Sequence, residues 1–151
     1  MFEKALGLYR KAIELDPWDF QLAADYAQCW YGMTPPKTDT AEGGLAAEQS
    51  FCDDALAAWR HAQELARDDR EREGIRLHFA RFEISAGRYD EARANLNAVT
   101  NSFYRETRQN LLVRLARLTG EALPTNAPDA VITNAVPAAP EQKGRGLPPA
   151  T

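Results

Sequence analysis

One side-chain spacing recurs three times along this chain and strongly constrains its fold. In each set a small residue is followed at steps of +4, +3 and +5. The sets are Ala5–Tyr9–Ala12–Pro17, Ala55–Trp59–Ala62–Arg67 and, less cleanly, Ala92–Leu96–Val99–Tyr104. Positions three and four apart share one helical face, where a small residue lets a second helix approach and a large residue fills the adjacent space. The pattern is typical of stacked helix pairs and predicts a binding scaffold, without indicating what is bound.

Size and charge exclude several classes of protein. The 151 residues suffice for one domain, or for one domain with a tail. A net charge of −4 argues against a strongly basic nucleic-acid binder, although residues 1–66 carry −6 and residues 67–120 carry +3. Two cysteines are too few for a disulfide framework, and each lies in a helical pattern that favours a buried thiol over redox or metal chemistry. Because the N-terminus reads as an amphipathic helix and no long apolar run follows, we expect a cytoplasmic protein without a membrane span.

Apolar periodicity predicts about six helices, and turn residues separate them. The predicted ranges are 2–15, 19–32, 45–66, 70–86, 88–99 and 103–119. Pro17 ends the first helix, Asp19 caps the second, Gly87 forms a turn and Gly120 is a C-cap. Residues 34–44 read as an inserted loop, which is either functional or a neutral insertion. The stretch 121–151 holds six of the nine prolines and predicts a disordered Pro/Ala-rich tail.

The helix pairs resemble the tetratricopeptide repeat. The resemblance lies in Ala5–Pro17, in Tyr26-Ala27-x-x-Trp30 and in the turn of residues 85–92, and it covers residues 1–120. It implies an all-α superhelix of antiparallel helix pairs that binds proteins through a concave groove. The intervals between the three sets are 50 and 37 residues, against about 34 in the family. Glu83 stands where an aromatic is expected, and the first pair lacks its first helix.

The resemblance also implies which side chains line the groove. We expect it to comprise Gln21, Ala24, Gln28, Tyr31, Leu77, Arg81, Ile84, Asn110, Val113 and Arg117. Arginines at such positions can grip a peptide carboxylate with two parallel hydrogen bonds. The alternative is that these are ordinary surface residues. We further expect an exposed apolar edge at Leu6, Tyr9 and Ile13, because residues 1–15 lack a packing partner on one side. Another copy of the chain, another protein or an upstream helix would cover that edge.

The sequence contains no pattern that indicates catalysis. His61 and His78 are the only histidines, and neither pairs with Cys52 or Glu83 at a spacing that shares a helical face. No phosphate loop, metal-ligand spacing or nucleophile motif occurs, so we expect no cofactor, no metal and no enzymatic activity. Acidic residues alternate with the arginines of residues 67–117, which favours solvated faces over nucleic-acid binding. The sequence thus predicts a protein- or peptide-binding scaffold. The alternatives are a structural subunit whose groove is buried in an assembly and, third, an enzyme or nucleic-acid accessory.

Overall fold

Six α-helices make up the part of the chain that the computed structural model describes, residues 2–124. They are α1 (Phe2–Leu15), α2 (Phe20–Gln28), α3 (Ala41–Glu64), α4 (Asp69–Ser85), α5 (Tyr89–Asn97) and α6 (Arg105–Thr119), with 3-10 turns at Cys29–Gly32 and Ser102–Tyr104. Each helix packs against the next in sequence, and α6 also contacts α4. The prediction of an all-α fold of six helices is confirmed.

Local hydrogen bonds begin and end these helices where short polar residues and glycines stand. The side chains of Asp19, Thr40 and Asp68 accept hydrogen bonds from the backbone N–H three residues later, at 3.1, 3.1 and 2.8 Å. Such N-caps satisfy donors that the first helical turn leaves unpaired. Gly87 and Gly120 both have positive φ, at 75° and 71°, which is why a residue without Cβ ends α4 and α6.

The predicted loop at 34–44 was too long, because α3 begins at Ala41. The N-cap of α3 is Thr40, which the sequence analysis did not identify. The first turn of α3 therefore includes Gly43 and Gly44, which were predicted to lie in the loop. A Cβ on Gly43 would come within 2.8 Å of Thr40 Oγ1, so the glycine allows the cap to close. The second helix is shorter than predicted, since after Gln28 the chain tightens into the 3-10 turn.

Two buried clusters hold the helices together. The first joins α1–α4 around Trp30 and Trp59, and the second joins α4–α6 around Leu96 and Leu115. The small residues at the helix contacts are entirely shielded from solvent: Ala23, Ala27, Ala55, Ala62, Ala80 and Ala92. The expectation that alanines lie at the helix contacts is therefore confirmed for Ala55, Ala62 and Ala92, whereas Ala5 and Ala12 of the first set are only half-buried.

The expected exposed edge of α1 was wrong in its orientation. Leu6 is buried against α2, while Tyr9 and Ile13 are half-buried. Phe2 lies over Gly32, so the N-terminal end of α1 contacts the 3-10 turn. The outward-facing apolar residues of this end are instead Leu8, Leu15 and Trp18, with Leu15 88% and Trp18 82% exposed.

Glu83 is a buried carboxylate between α4 and α5. Asn95 Nδ2 donates to both of its oxygens, at 3.1 and 2.9 Å, and Arg76 donates to Asn95 Oδ1 at 3.4 Å. Burial raises the pKa of Glu83, and the Asn95 bond acts in the opposite direction. A hydrogen-bonded carboxyl thus occupies the position where the family resemblance implied an aromatic.

Replacing Glu83 by Gln is expected to raise the free energy of unfolding at pH 7. With its folded pKa above the ordinary value, Glu83 favours the folded state only when protonated, and that contribution is lost as the pH rises. Glutamine keeps an acceptor for Asn95 without the charge. Urea unfolding between pH 4.5 and 8 should show the variant gaining on the wild type as the pH rises. A constant difference across this range would contradict the argument.

The proline-rich segment lies almost wholly outside the described residues. The prediction of a disordered tail at 121–151 lies outside the described residues, except for residues 121–124, which follow α6 without regular secondary structure. Among the helices of residues 2–124, none combines the length and apolar content that crossing a bilayer requires.

Candidate functional site

One face of α4 lines a groove together with α2, the first 3-10 turn and α6. Residues at helical spacing along α4 point to this face. In order they are Glu71, Gly74, Ile75, His78, Arg81, Phe82 and Ser85. The groove consists of two depressions, and the α4 residues up to His78 border the first while those from Arg81 border the second. The two depressions therefore lie one after the other along the same face of α4.

The first depression, the acidic pocket, has a volume of about 320 Å³. It is lined by Phe20, Gln21, Ala24, Asp25, Gln28, Trp59, Glu71, Gly74, Ile75, His78 and Tyr104. Asp25 accepts a hydrogen bond from Gln21 Nε2 at 2.8 Å, and Glu71 pairs with Arg67. These Arg67 bonds lower the pKa of Glu71. Its lining residues include two carboxylates and neither lysine nor arginine.

Gly74 determines how closely Tyr104 lies against α4. Tyr104 donates its hydroxyl hydrogen to the carbonyl of Arg70 at 3.0 Å. A Cβ at position 74 would stand 2.7 Å from that hydroxyl oxygen. The absence of a side chain at Gly74 thus lets the tyrosine that precedes α6 close one wall of the acidic pocket.

The second depression, the arginine pocket, has a volume of about 420 Å³. Its lining is mostly apolar: Trp30, Tyr31, Met33, Pro35, Glu48, Phe51, Cys52, Arg81, Phe82, Ser85, Ala86, Leu111 and Arg114. Trp30 and Phe51 meet edge to face, with ring centroids 5.3 Å apart. Arg81 and Arg114 reach the pocket from two helices, and neither forms an ion pair with any residue of the described range. The pocket therefore presents two guanidinium groups beside an apolar wall.

An aromatic bridge, formed by Tyr31, Trp59, His78 and Phe82, separates the two pockets. The rings of Trp59 and His78 stack 3.9 Å apart and 5° from parallel, and those of Tyr31 and Phe82 stack 4.6 Å apart. The Tyr31 hydroxyl and His78 Nδ1 are hydrogen-bonded at 2.8 Å. Because these contacts link α3, α4 and the 3-10 turn, the bridge fixes the floor of the groove.

The bridge is held uncharged. Burial, followed by the nearby Arg81 cation, lowers the pKa of His78 to about 4. Burial raises the pKa of Tyr31 to about 12, against the effect of Arg81. At neutral pH the imidazole is therefore neutral and the phenol keeps its proton. A histidine this weakly basic is poorly matched to general base catalysis near pH 7.

The ten predicted groove residues fall into three groups: five line one of the two pockets, two are buried in the core, and three line neither pocket. Gln21, Ala24 and Gln28 line the acidic pocket, and Tyr31 and Arg81 line the arginine pocket. The other two groups need correction. Leu77 and Ile84 are buried in the second cluster, because they lie on the side of α4 that packs against α5 and α6.

On α6 the predicted face was rotated. Asn110, Val113 and Arg117 line neither pocket, whereas Leu111 and Arg114 line the arginine pocket. A shift of one residue turns a helix by about 100°, since a turn takes 3.6 residues. The apolar stripe of α6 was too broad for the sequence alone to distinguish these orientations.

Sequence reasoning missed the aromatic bridge. The spacing around Trp59 predicts only helix packing, and no pattern gives His78 a role. Nothing in the spacing of these two residues predicts a contact with Tyr31. The available signal was the pair His78 and Phe82, four residues apart on either side of Arg81. Aromatic residues beside a solvent-facing arginine on one helix are a feature of binding surfaces.

Two buried indole groups border the groove without hydrogen-bond acceptors. Within residues 2–124, Nε1 of Trp30 and Nε1 of Trp59 find no partner. Trp30 also borders a third depression, on the side of α1 and α3, with Arg10, Asp54 and His61. Unsatisfied buried donors are rare in folded proteins and call for an explanation where they occur.

Comparisons of the chain with protein-family models, curated proteins and solved structures give no significant match. In the described part of the chain, no group of three or more His, Cys, Asp or Glu side chains is placed to hold a metal ion. The geometry and chemistry of the groove are therefore the features that indicate a function.

Proposed function

We propose that this protein is a non-catalytic binding module that holds a protein or peptide segment in the groove between α2, α4 and α6. The observation that carries the proposal is the line of groove residues on α4, with Arg81 and Arg114 outside any ion pair of the described range and beside an apolar wall. Guanidinium groups next to aromatic rings supply both directional hydrogen bonds and apolar contact, the combination found at protein interfaces.

The proposed architecture is a short tetratricopeptide-like superhelix. In this proposal α2 with α3 and α4 with α5 are antiparallel pairs, and α6 begins a third. The support is the sequential packing of neighbouring helices, the additional contact of α4 with α6 and the shielded alanines at the contacts. In such an array α2, α4 and α6 share the inner surface, and the groove lies on that surface.

A selection experiment tests the proposal. Seven-residue random peptides displayed on phage are selected against the whole chain, and the affinities of the selected peptides are measured by fluorescence anisotropy. Ala24→Trp, which fills the acidic pocket, and Arg81→Glu are each expected to weaken binding at least tenfold. Ala94→Trp, on the exposed face of α5, and Arg117→Glu are matched controls that should leave the affinity unchanged. Peptides that bind Ala24→Trp with the same affinity as the wild type would contradict the proposal.

The second candidate is a structural subunit whose outer faces are buried in an assembly. It is favoured by the exposed apolar group of Leu8, Leu15 and Trp18 at the α1 end. Sedimentation velocity of the wild type beside a Leu8→Ser/Leu15→Ser variant discriminates between the candidates. A wild-type oligomer that the double substitution converts to monomer, together with a groove closed to peptides, would favour the subunit.

A further inference from the structure

The two pockets of the groove carry opposite charge. Asp25 and Glu71 border the acidic pocket, where Glu71 is paired with Arg67 and Asp25 is in no ion pair of the described range, and Arg81 and Arg114 border the arginine pocket. The only acidic residue that lines the arginine pocket is Glu48, whose side chain is exposed to water. Opposite charges at the two ends of a groove select a ligand with the complementary charge pattern and fix its orientation.

The arginine pocket suits a carboxylate. Its two guanidinium groups come from different helices, and each can donate hydrogen bonds to a carboxylate in the pocket. Arg81 is half-buried beside the rings of Tyr31 and Phe82, which reduces its contact with water. A charge-assisted hydrogen bond is roughly twice as strong as a neutral one, and it gains strength where water is excluded.

The acidic pocket suits a basic side chain. Aromatic rings of Phe20, Trp59 and Tyr104 border it, and Asp25 has no cationic partner in residues 2–124. Cations bind favourably over aromatic faces, particularly when a carboxylate lies nearby. The chain already contains one such contact at the margin of this pocket, where the Arg67 guanidinium lies 5.6 Å from the centre of the Phe20 ring.

The distance between the pockets limits the spacing in a ligand. Arg81 follows Glu71 by ten positions on α4, which corresponds to about 15 Å of helix. An extended peptide covers that distance in about four or five residues. The aromatic bridge lies between the pockets, so the middle of the ligand faces rings rather than charges.

We infer that the groove accepts a dipolar peptide segment, with a basic side chain in the acidic pocket and an acidic side chain in the arginine pocket. About four or five positions separate the two, and an apolar side chain between them contacts the aromatic bridge. This inference rests on the proposed peptide-binding function and specifies the class of ligand.

Four synthetic peptides with the same apolar centre test the inference. One carries Lys and Glu five positions apart, and the others carry Lys and Lys, Glu and Glu, or Gln and Gln at the same positions. Isothermal titration of the whole chain is expected to rank the Lys–Glu peptide at least tenfold above the other three. Failure of the Lys–Glu peptide to bind at millimolar concentration, or equal affinity for all four peptides, would overturn the inference.

Charge reversal in the protein should change the ranking. Arg81→Glu is expected to make the Lys–Lys peptide the tightest binder, and Arg114→Glu, at an exposed position on α6, gives the same test with little risk to folding. Asp25→Lys should shift preference to the Glu–Glu peptide. Arg117→Glu and Glu64→Lys are exposed controls outside both pockets that should keep the original ranking.

The outcomes separate the inference from the proposed function. If selected phage peptides lose affinity in Ala24→Trp but show no dipolar pattern, the groove binds peptides and the inference is wrong. If no peptide loses affinity on filling the groove, the proposed function is wrong as well.

Discussion

Replacing Leu96 by Ala is expected to lower the free energy of unfolding by about 2–5 kcal/mol. Leu96 has no exposed surface and joins α5 to the second buried cluster, where it packs with Leu115 and Ile84. Because α5 is only nine residues long, few other side chains hold it in place. The truncation removes apolar contacts and leaves a cavity that its neighbours cannot fill.

Urea unfolding followed by circular dichroism measures this loss. The matched control is Leu118→Ala on α6, whose side chain is 51% exposed. Exposed substitutions of this kind usually change stability by less than about 0.5 kcal/mol. Equal effects of the two substitutions would show that the second cluster does not determine stability.

Replacing His78 by Phe is expected to remove the part of the acid sensitivity of the fold that this histidine contributes. Phenylalanine retains a flat ring for Trp59 but does not titrate. In the wild type the folded state holds the pKa of His78 at about 4, below the ordinary 6.5, so the unfolded chain binds more protons between these values. Stability therefore falls as the pH drops through this range. The difference between these two pKa values corresponds to a loss of about 3 kcal/mol in the free energy of unfolding.

Unfolding free energies at pH 4, 5, 6 and 7 provide the measurement. The wild type should lose stability relative to His78→Phe as the pH falls from 7 to 4, although the variant loses the Tyr31 hydrogen bond at every pH. Carboxylates titrate in both proteins and cancel in the difference. His61→Phe, at the other histidine, is the control. A difference between wild type and variant that is independent of pH would contradict the lowered pKa of His78.

The helices could be predicted because their signals are local. Asp19, Gly87 and Gly120 end or begin helices through bonds to residues within one turn, and apolar periodicity covers the remainder. The error at the start of α3 arose from two glycines that usually break helices. Thr40 caps the turn that contains both glycines, and such a cap stabilises a helix by about 1 kcal/mol.

The site could be predicted only in part, because it depends on how helices are rotated against each other. The predicted residues of α2 line the acidic pocket, whereas on α6 the pocket-lining residues Leu111 and Arg114 lie one position after two of the predicted ones. The contact between Tyr31 and His78 joins residues 47 positions apart, and no spacing rule within a helix can anticipate it. Burial by the neighbouring helix also explains why Leu77 is part of the core.

The smallest residue in α4 sets the aperture of the acidic pocket. Any side chain at Gly74 would displace the phenol of Tyr104 and break its bond to the Arg70 carbonyl. Gly74→Ala adds a single methyl group and is thus expected to move Tyr104 and widen the acidic pocket, without altering any charged residue. The width of this pocket therefore depends on the absence of a Cβ atom at Gly74.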